Sequence, residues 1–283
     1  MADKNVKFKL QKESFVPSKK MGQNFLLSNQ IKKQIVQAAD ISSEDLVIEI
    51  GPGLGAITEF LVQEAKFVQA IELDKRLFNH LTKNIKEANF SIINNDVLKV
   101  DFDALVAELK SKMQFNDVKV VANLPYSISS KIIEKLIKTT SIKYSYVMVQ
   151  KEMADRVTAK VNTKDYNAFS VFVQLFANLK TLFHVHPKNF YPAPKVDSSV
   201  IMIENHDVCE HFDHGQMLTF LRLCFLNRRK KLLNNLLNKY DRNQIIQAFL
   251  AEQIDINARA QNLTQANFVN LFKILNKEMQ NED

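Results

Sequence analysis

The fold is decided at residues 46–55, which read Leu46-Val47-Ile48-Glu49-Ile50-Gly51-Pro52-Gly53-Leu54-Gly55. An apolar run bounded by a turn is typical of a buried strand, and the apolar residues that come next recur at helical spacing. Glycines let a ligand approach the backbone closely, and a helix N-terminus offers N–H groups to it. We therefore expect Gly51 and Gly53 to line a nucleotide site. Gly51, Gly53 and Ala56 also fit the dinucleotide fingerprint, so a nicotinamide-dependent dehydrogenase stays open here.

Strands and helices alternate over the first two thirds of the chain. Apolar runs predict strands at 46–50, 67–72, 90–94, 118–122 and 144–149, with helices between them. This alternation predicts an α/β fold with a doubly wound, Rossmann-like parallel sheet, whose ligands bind at the carboxyl ends of the strands. Residues 181–185 and 198–203 are predicted to close the sheet as an antiparallel pair, after a helical stretch at 167–179.

The pattern changes after Glu204. Helices are predicted at about 216–239, 243–252 and 264–279. A chain of 283 residues suits one large domain with a smaller addition. We predict a basic N-terminal segment at 1–20, the α/β domain at 21–204 and a small all-α domain at 205–283.

Two carboxylates follow predicted strands. Glu72 ends the second strand, about 20 positions past the first glycine, where such folds bind the hydroxyls of a ribose. Asp96 follows the third strand, and its carboxylate can accept a hydrogen bond from the amino group of an adenine. That pair of contacts suits S-adenosylmethionine. The alternative for Asp96 is a turn residue or a helix cap.

The tetrapeptide Asn123-Leu124-Pro125-Tyr126 ends the fourth strand and indicates the reaction. The side-chain carbonyl of Asn123 and the backbone carbonyl of Leu124 can accept hydrogen bonds from an exocyclic amine. Pro125 fixes its own φ and so holds both carbonyls in place. Tyr126 offers a face on which a planar base can stack. Methyl transfer to the amine of a nucleobase uses this arrangement, whereas the alternative is a strand-ending turn with a buried tyrosine.

A second aromatic precedes a stiff, proline-containing loop, Asn189 to Ser198. Pro192 and Pro194 flank one small residue and favour an extended backbone. We expect Phe190 to clamp the second face of the base, opposite Tyr126. The alternative is a core aromatic beneath a loop.

Basic residues are clustered within a net charge of +7. One cluster crowds the first twenty residues, and the other lies within the predicted helix 216–239. They consist of Lys4, Lys7, Lys9, Lys12, Lys19 and Lys20, and of Arg222, Arg228, Arg229, Lys230 and Lys231. Such clusters bind nucleic acid because neutralising several phosphates releases counterions. We predict RNA contact for the second cluster, whereas the first can also be a solubilising tail.

Several classes of protein are disfavoured. The chain has no apolar run of about 18 residues, so we expect no membrane span, and its lysine-rich start is unlike a secretory signal. Cys209 and Cys224 are too few for a disulfide framework, which predicts reduced thiols and a cytoplasmic location. His206, Cys209, His211 and His214 lie close together, but their spacing matches no structural zinc pattern, so we predict no metal site.

Taken together, the motifs identify a family. They are Met21 to Leu26, Glu49 to Gly55, Ile71 to Asp74, Asn123 to Tyr126, Gln150 to Glu152, Pro192 to Ser198, Asn227 to Lys231 and Ile256 to Leu263. Over nearly its whole length the chain resembles the ribosomal RNA adenine dimethyltransferases, and within them the KsgA type that acts on small-subunit RNA. Gln261 departs from the glutamate usual in the last motif.

The resemblance implies a set of roles. S-adenosylmethionine would be bound by Asn24, Leu26, Gly51, Gly53, Glu72, Asp96 and Asn123. The target adenosine would be turned out of its stack and held between Tyr126 and Phe190. The family methylates N6 twice on two adjacent adenosines near the 3′ end of 16S rRNA. The basic helical domain would dock on the pre-ribosomal particle. The protein would act as a monomer and would have no membrane partner.

These motifs leave two alternatives to a small-subunit RNA dimethyltransferase open. The erythromycin-resistance methyltransferases share the cofactor motifs but act on large-subunit RNA, and they usually lack the Arg-Arg-Lys and Arg-Ala-x-x-Leu segments. A ribosome-assembly factor with little catalytic role could keep the fold and the RNA surface. The intact Gly51, Glu72, Asp96 and Asn123 argue against pure binding.

Overall fold

The protein is represented by a computed structural model that describes residues 17–18, 22–206 and 213–276. The basic N-terminal segment predicted at 1–20 therefore lies outside the described residues, apart from Pro17 and Ser18. Cys209 and His211 of the histidine-rich segment also lie outside them, as do the last residues of the helix predicted at 264–279.

All seven predicted strands form in the predicted order, and two short strands at 25–26 and 190–191 were not predicted. The helix predicted at 167–179 ends at Phe176, because the next strand begins at Ala177. The strands are β1 (Phe25–Leu26), β2 (Leu46–Ile50), β3 (Phe67–Glu72), β4 (Phe90–Asn94), β5 (Val118–Asn123), β6 (Tyr144–Gln150), β7 (Ala177–Val185), β8 (Phe190–Tyr191) and β9 (Ser198–Asn205). The helices are α1 (Asn29–Ala38), α2 (Thr58–Glu64), α3 (Lys75–Asn84), α4 (Phe102–Lys112), α5 (Ser129–Lys138), α6 (Lys151–Val157), α7 (Ala168–Phe176), α8 (His214–Cys224), α9 (Leu232–Leu236), α10 (Arg242–Ala251) and α11 (Gln265–Asn276).

Seven strands form one sheet in the order β4-β3-β2-β5-β6-β9-β7. The first five are parallel, and β9 pairs antiparallel with both β6 and β7. This confirms the doubly wound α/β fold with its closing antiparallel pair. The direction of the strand order reverses between β2 and β5, and ligands bind at such a switch point in open α/β sheets.

Burial explains why the parallel strands are continuous apolar runs. All five residues of β2 are buried, and β5 is buried up to its last residue. Helices cover both faces of a doubly wound sheet, so most residues on either face are apolar, and the buried Glu49 and Lys119 are exceptions. One core cluster joins Val47 and Val121 of the sheet to Ile35 of α1 and Leu61 of α2.

A separate two-stranded sheet joins distant parts of the chain. Strand β1 pairs antiparallel with β8, with Phe25 opposite Tyr191 and Leu26 opposite Phe190. The backbone N–H of Leu27 also donates to the carbonyl of Asn189 at 2.7 Å. This pairing fixes the segment that precedes α1 against the loop that precedes β9.

The chain divides into two compact units. The first contains the described residues up to Ala154 together with Ala177–His206, and the second contains Asp155–Phe176 and the described residues after 212. Residues 155–176 therefore pack with the helical unit, whereas the sequence analysis assigns them to the α/β domain. Within the second unit, the ring of Tyr166 meets that of Phe225 edge-on at 6.0 Å between centroids. The Tyr166 hydroxyl also donates to the carbonyl of Leu263 at 3.0 Å.

The long helix predicted at 216–239 is wrong. Helix α8 ends at Cys224 and α9 begins at Leu232, so the cations Arg228 to Lys231 lie on a non-helical connection. Asn235 is the physical reason. Its buried side-chain amide donates to the carbonyls of Cys224 at 2.6 Å and Asn227 at 3.4 Å, which satisfies carbonyls that a continuous helix would have used itself.

Two further findings concern the chain's setting. No helix among the described residues is both long enough and apolar enough to cross a bilayer. Cys224 carries a free, buried thiol, and burial raises the pKa of that thiol. The cytoplasmic location stays a prediction.

Candidate active site

A cleft opens at the carboxyl edge of the sheet, around the switch point between β2 and β5. It encloses about 1010 Å³ of space, part of it open to solvent. Nine of the predicted site residues line it: Asn24, Leu26, Gly51, Gly53, Glu72, Asp96, Asn123, Leu124 and Tyr126. The structure thus brings together residues that lie up to about a hundred positions apart in the sequence, as expected for neighbouring strand ends.

The glycine turn after β2 forms one wall of the cleft. Gly51 has a φ of 67°, and its N–H donates to the carbonyl of Ile71 at 2.9 Å. A Cβ on Gly51 would meet only the carbonyl oxygen of Asn123, at 4.0 Å, so the backbone here faces open space. Gly53 also has a positive φ, of 63°. The turn therefore requires residues without a side chain and leaves its backbone accessible to a ligand.

Glu72 is held rigidly at the end of β3. Its two carboxylate oxygens accept the N–H groups of Asp74 at 2.8 Å and of Gly53 at 3.2 Å. Burial raises the pKa of Glu72. The contact with Gly53 ties the two predicted cofactor-binding segments together, so that the orientation of this carboxyl and the shape of the glycine turn depend on each other.

Glu49 is a residue of the cleft that sequence reasoning missed. It is 2 % exposed and is the last residue but one of β2, and it lines the cleft. Its Oε2 has no hydrogen-bond partner among the described residues. Burial raises the pKa of Glu49 from its usual 4.5 to about 8. The neighbouring Thr58 opposes the rise, and the nearby Glu72 adds to it. A lone carboxyl inside an otherwise apolar strand was the signal that could have identified it.

Asp96 makes the turn contact that the sequence analysis gave as its alternative, since its Oδ1 accepts the N–H of Leu98 at 3.0 Å. The residue also lines the cleft, and its contact with an adenine stays a prediction. Asn95 beside it lines the cleft as well.

The Asn123 side chain is oriented by the segment before α1. Its Nδ2 donates to the backbone carbonyl of Asn24 at 3.1 Å. Since that carbonyl can only accept, the amide must turn its NH2 group towards Asn24 and its Oδ1 away from it. The Leu124 N–H donates to the carbonyl of Met148 at 3.0 Å, so the turn after β5 stays fixed to β6. Asn123 therefore retains an acceptor for a ligand in the cleft.

Tyr126 and Phe190 are placed differently. The Tyr126 hydroxyl lies 2.7 Å from the Oγ of Ser198, and the residue lines the cleft. Phe190 is 3 % exposed within the core cluster and is not among the described residues that line the cleft. Strand β8 turns Phe190 inward and leaves Tyr191 exposed. A position of Phe190 opposite Tyr126 stays a prediction, for which its ring would have to leave its present packing.

The comparisons with known proteins agree with this geometry. The model of a family described as ribosomal RNA adenine dimethylase matches residues 16–277. The chain belongs to the ribosomal RNA adenine dimethylase family. As a member of that family it is an rRNA adenine dimethyltransferase, and the family implies S-adenosylmethionine as cofactor. Membership removes the dehydrogenase that the glycine pattern alone left open.

Individual relatives extend over nearly the whole chain. The ribosomal RNA small subunit methyltransferase A of Ureaplasma urealyticum serovar 10 is 56 % identical over 272 residues, which cover 96 % of this chain and 97 % of the relative. The structure of a dimethyladenosine transferase from Plasmodium falciparum has a TM-score of 0.77 at 27 % identity. The match covers 90 % of this chain and 98 % of that protein. The 23S rRNA methyltransferase ErmE, with a TM-score of 0.65 at 22 % identity, covers 89 % and 99 % and shares the fold.

The buried carboxyl of Glu49 predicts a pH-dependent cost in stability. Because the unfolded chain ionises this group near pH 4.5 while the folded protein keeps its proton up to about pH 8, the folded state loses stability as the pH rises through that window. Glu49→Gln removes the loss. We expect the free energy of unfolding of the variant to rise above that of the wild type with increasing pH, by at most about 1.4 kcal/mol per pH unit.

Urea unfolding at intervals between about pH 5 and pH 8 measures this difference. Glu108→Gln is the control, because Lys112 lowers the pKa of the exposed Glu108. Its difference from the wild type should stay level in this window. A level difference for Glu49→Gln as well would show that Glu49 is ionised in the folded protein.

Proposed function

We propose that this protein transfers methyl groups from S-adenosylmethionine to N6 of two adjacent adenosines near the 3′ end of 16S rRNA, giving dimethyladenosines during ribosome biogenesis. One observation carries the reaction: Asn123 stands at the switch point of the cleft with its NH2 group engaged by Asn24, so that Oδ1 is left to accept from an amine. The small-subunit target is supported by the relative from Ureaplasma urealyticum, which is named for that subunit.

The residues around the cleft fit the cofactor. When bound, S-adenosylmethionine supplies an electrophilic methyl group on a sulfonium. Gly51 offers open space beside its backbone, and the fixed carboxyl of Glu72 would accept from the hydroxyls of the ribose. Asp96 would accept the adenine amine. Glu49 would give up its proton on binding, and its Oε2, which has no hydrogen-bond partner among the described residues, would accept from a cationic ammonium group in the cleft.

Catalysis would rest on positioning. Adenine N6 is a poor nucleophile because its lone pair is delocalised into the ring. Hydrogen bonds from N6 to Oδ1 of Asn123 and to the carbonyl of Leu124 favour a tetrahedral nitrogen, whose lone pair can attack the methyl carbon. The N–C bond forms as the S–C bond breaks, and N6 then loses a proton to water. Holding the two reactants in line supplies most of the acceleration, so no strong base is needed.

The basic connection between α8 and α9 suits RNA. Arg228, Arg229, Lys230 and Lys231 are all exposed, and none pairs with a carboxylate in the described parts of the chain. Lys231 Nζ donates to Oδ1 of Asn257 at 2.6 Å. The neighbouring N–H of Leu232 donates to the carbonyl of Ala258 at 2.8 Å. These bonds hold the connection beside the 255–262 turns, where Arg259 is exposed as well.

Together with Arg222 on the last turn of α8, this connection is the surface that we propose to dock on the pre-ribosomal particle. Backbone phosphates are its partners, since exposed guanidinium and ammonium groups bind them without reading sequence. We propose that the protein does so as a monomer.

Methyl transfer to purified subunits tests the proposal. Labelled S-adenosylmethionine is supplied with small subunits that lack the modification, and with large subunits in parallel. We expect dimethyladenosine in the small-subunit RNA alone, read after digestion. Label in the large-subunit RNA would indicate a resistance-type methyltransferase. Absence of transfer to either, with S-adenosylhomocysteine still raising the melting temperature, would indicate an assembly factor.

Asn123→Ala should abolish methyl transfer and leave RNA binding intact. The variant loses the acceptor that positions N6, and we expect the rate to fall about 100-fold or more. Single-turnover transfer and filter binding of small-subunit RNA measure the two effects. Asn178→Ala, which changes an exposed amide on β7, is the control. Near-normal turnover in Asn123→Ala would refute the positioning mechanism.

Reversing the charge of the basic connection should affect docking alone. We expect Arg228→Glu with Arg229→Glu to weaken binding to small subunits about 10-fold or more and to reduce its salt dependence, because two phosphate contacts are lost. The affinity for S-adenosylhomocysteine should not change. Lys239→Glu with Arg242→Glu reverses two other exposed charges of the same unit as a control. A parallel fall in cofactor affinity would mean that Arg228 and Arg229 are structural.

A further inference from the structure

Ser198 is a residue of the site region that the motifs leave without a role. We propose that it is a positioning residue for methyl transfer: its hydroxyl holds the ring of Tyr126 in the direction that the target base needs for stacking. The inference rests on the proposed function, since it concerns how the target adenine is received. It is carried by the 2.7 Å hydrogen bond between the Tyr126 hydroxyl and the Oγ of Ser198.

Ser198 is a fixed point in the fold. It is the first residue of β9 and is fully buried. Its backbone pairs with Gln150 of β6 on one side and with Val185 of β7 on the other. The carbonyl of the preceding Asp197 accepts the N–H of Lys151 at 2.9 Å. Because its backbone is paired on both sides, Ser198 cannot shift towards a moving partner, so Tyr126 must adapt to the position of its hydroxyl.

Tyr126 is held at its other end as well. It follows Pro125, which has a φ of −62°, and its backbone carbonyl accepts a hydrogen bond from the hydroxyl of Ser129 at 3.2 Å. With the backbone fixed at one end and the hydroxyl at the other, the long axis of the ring can point in one direction only. Burial raises the pKa of Tyr126, so the hydroxyl stays protonated and the ring neutral.

This arrangement prepares the stacking face before RNA arrives. Asn123 and Tyr126 are three residues apart on the same turn, so the direction of the ring sets where a stacked base lies relative to Oδ1 of Asn123. If the base had to order the ring on binding, a smaller fraction of the complexes would have the geometry that methyl transfer needs. Ser198 therefore acts on the reaction through Tyr126 and does not itself touch the base.

The neighbouring Ser199 provides a matched control. It is fully buried too, and its Oγ lies 2.8 Å from Nδ1 of His184. Ser199→Ala deletes a buried hydroxyl and its hydrogen bond from the same strand. Because successive side chains of a strand point to opposite faces, this variant leaves Tyr126 untouched. If Ser198→Ala and Ser199→Ala lost the same activity, the cause would be a disturbed β9 and not a freed Tyr126 ring.

The test compares Ser198→Ala, Tyr126→Phe, the double variant and Ser199→Ala. Both variants of the pair remove the same hydrogen bond, and we expect each to lower kcat for small subunits about 5- to 10-fold. The double variant should be no slower than either single one, because the bond can be lost only once. Ser199→Ala should keep the kcat of the wild type, and all four should bind S-adenosylhomocysteine within about twofold of it.

The same variants give a readout that does not depend on the substrate. In protein labelled with 3-fluorotyrosine, the ¹⁹F resonance of Tyr126 is assigned by its absence in Tyr126→Phe. We expect it to shift and to report a mobile ring in Ser198→Ala, and to be unchanged in Ser199→Ala.

The inference is overturned if Ser198→Ala keeps the kcat of the wild type, if Ser199→Ala loses as much, if the two losses multiply, or if the ¹⁹F resonance is unaltered. Failure of the proposed function shows itself differently, as a wild type that methylates no small subunits. The ¹⁹F measurement then still decides whether Ser198 orients Tyr126.

Discussion

The parallel pairing of β2 with β5 is the constraint on which the rest of the structure depends. It sets two strands that are distant in the sequence side by side, with Ile50 opposite Ala122, so that Gly51 and Asn123 leave the sheet next to each other. The strand order reverses at this pair, and the helices that follow β2 and β5 therefore diverge and open the cleft between them. The glycine turn and the Asn123 amide meet because of this one register.

Polar side chains buried at that edge are tolerated because they form hydrogen bonds with backbone groups. Both carboxylate oxygens of Glu72 accept backbone N–H groups, and the NH2 group of Asn123 donates to the carbonyl of Asn24. Glu49 is the exception, since one of its oxygens has no partner among the described residues. A desolvated group without a partner costs free energy in the folded chain. Proteins retain such a group where it binds a ligand, which is why unpaired buried polar groups are concentrated at binding sites.

The sequence predicts what local patterns control. Continuous apolar runs specify the parallel strands, because burial on both faces leaves no room for alternation, and residues at their ends must then share an edge. Contacts between distant side chains escape such reasoning. The periodicity of 216–239 is helical throughout, and only the buried amide of Asn235 reveals why the helix stops at Cys224. Likewise, the pairing of Leu26 with Phe190, which draws that ring into the core, cannot be read from the loop that follows it.

The position of β9 in the sheet has a consequence for how the chain is made. This strand lies between β6 and β7 in space but follows both in the sequence. While the chain is being synthesised, the edge of β6 therefore stays unpaired until residues 198–205 have left the ribosome, with the whole 155–176 segment already made. Tyr126 precedes the hydroxyl that holds it by 72 residues. The last strand to be synthesised thus both closes the sheet and completes the site, so a chain that stops short of it presents an open strand edge, which invites aggregation.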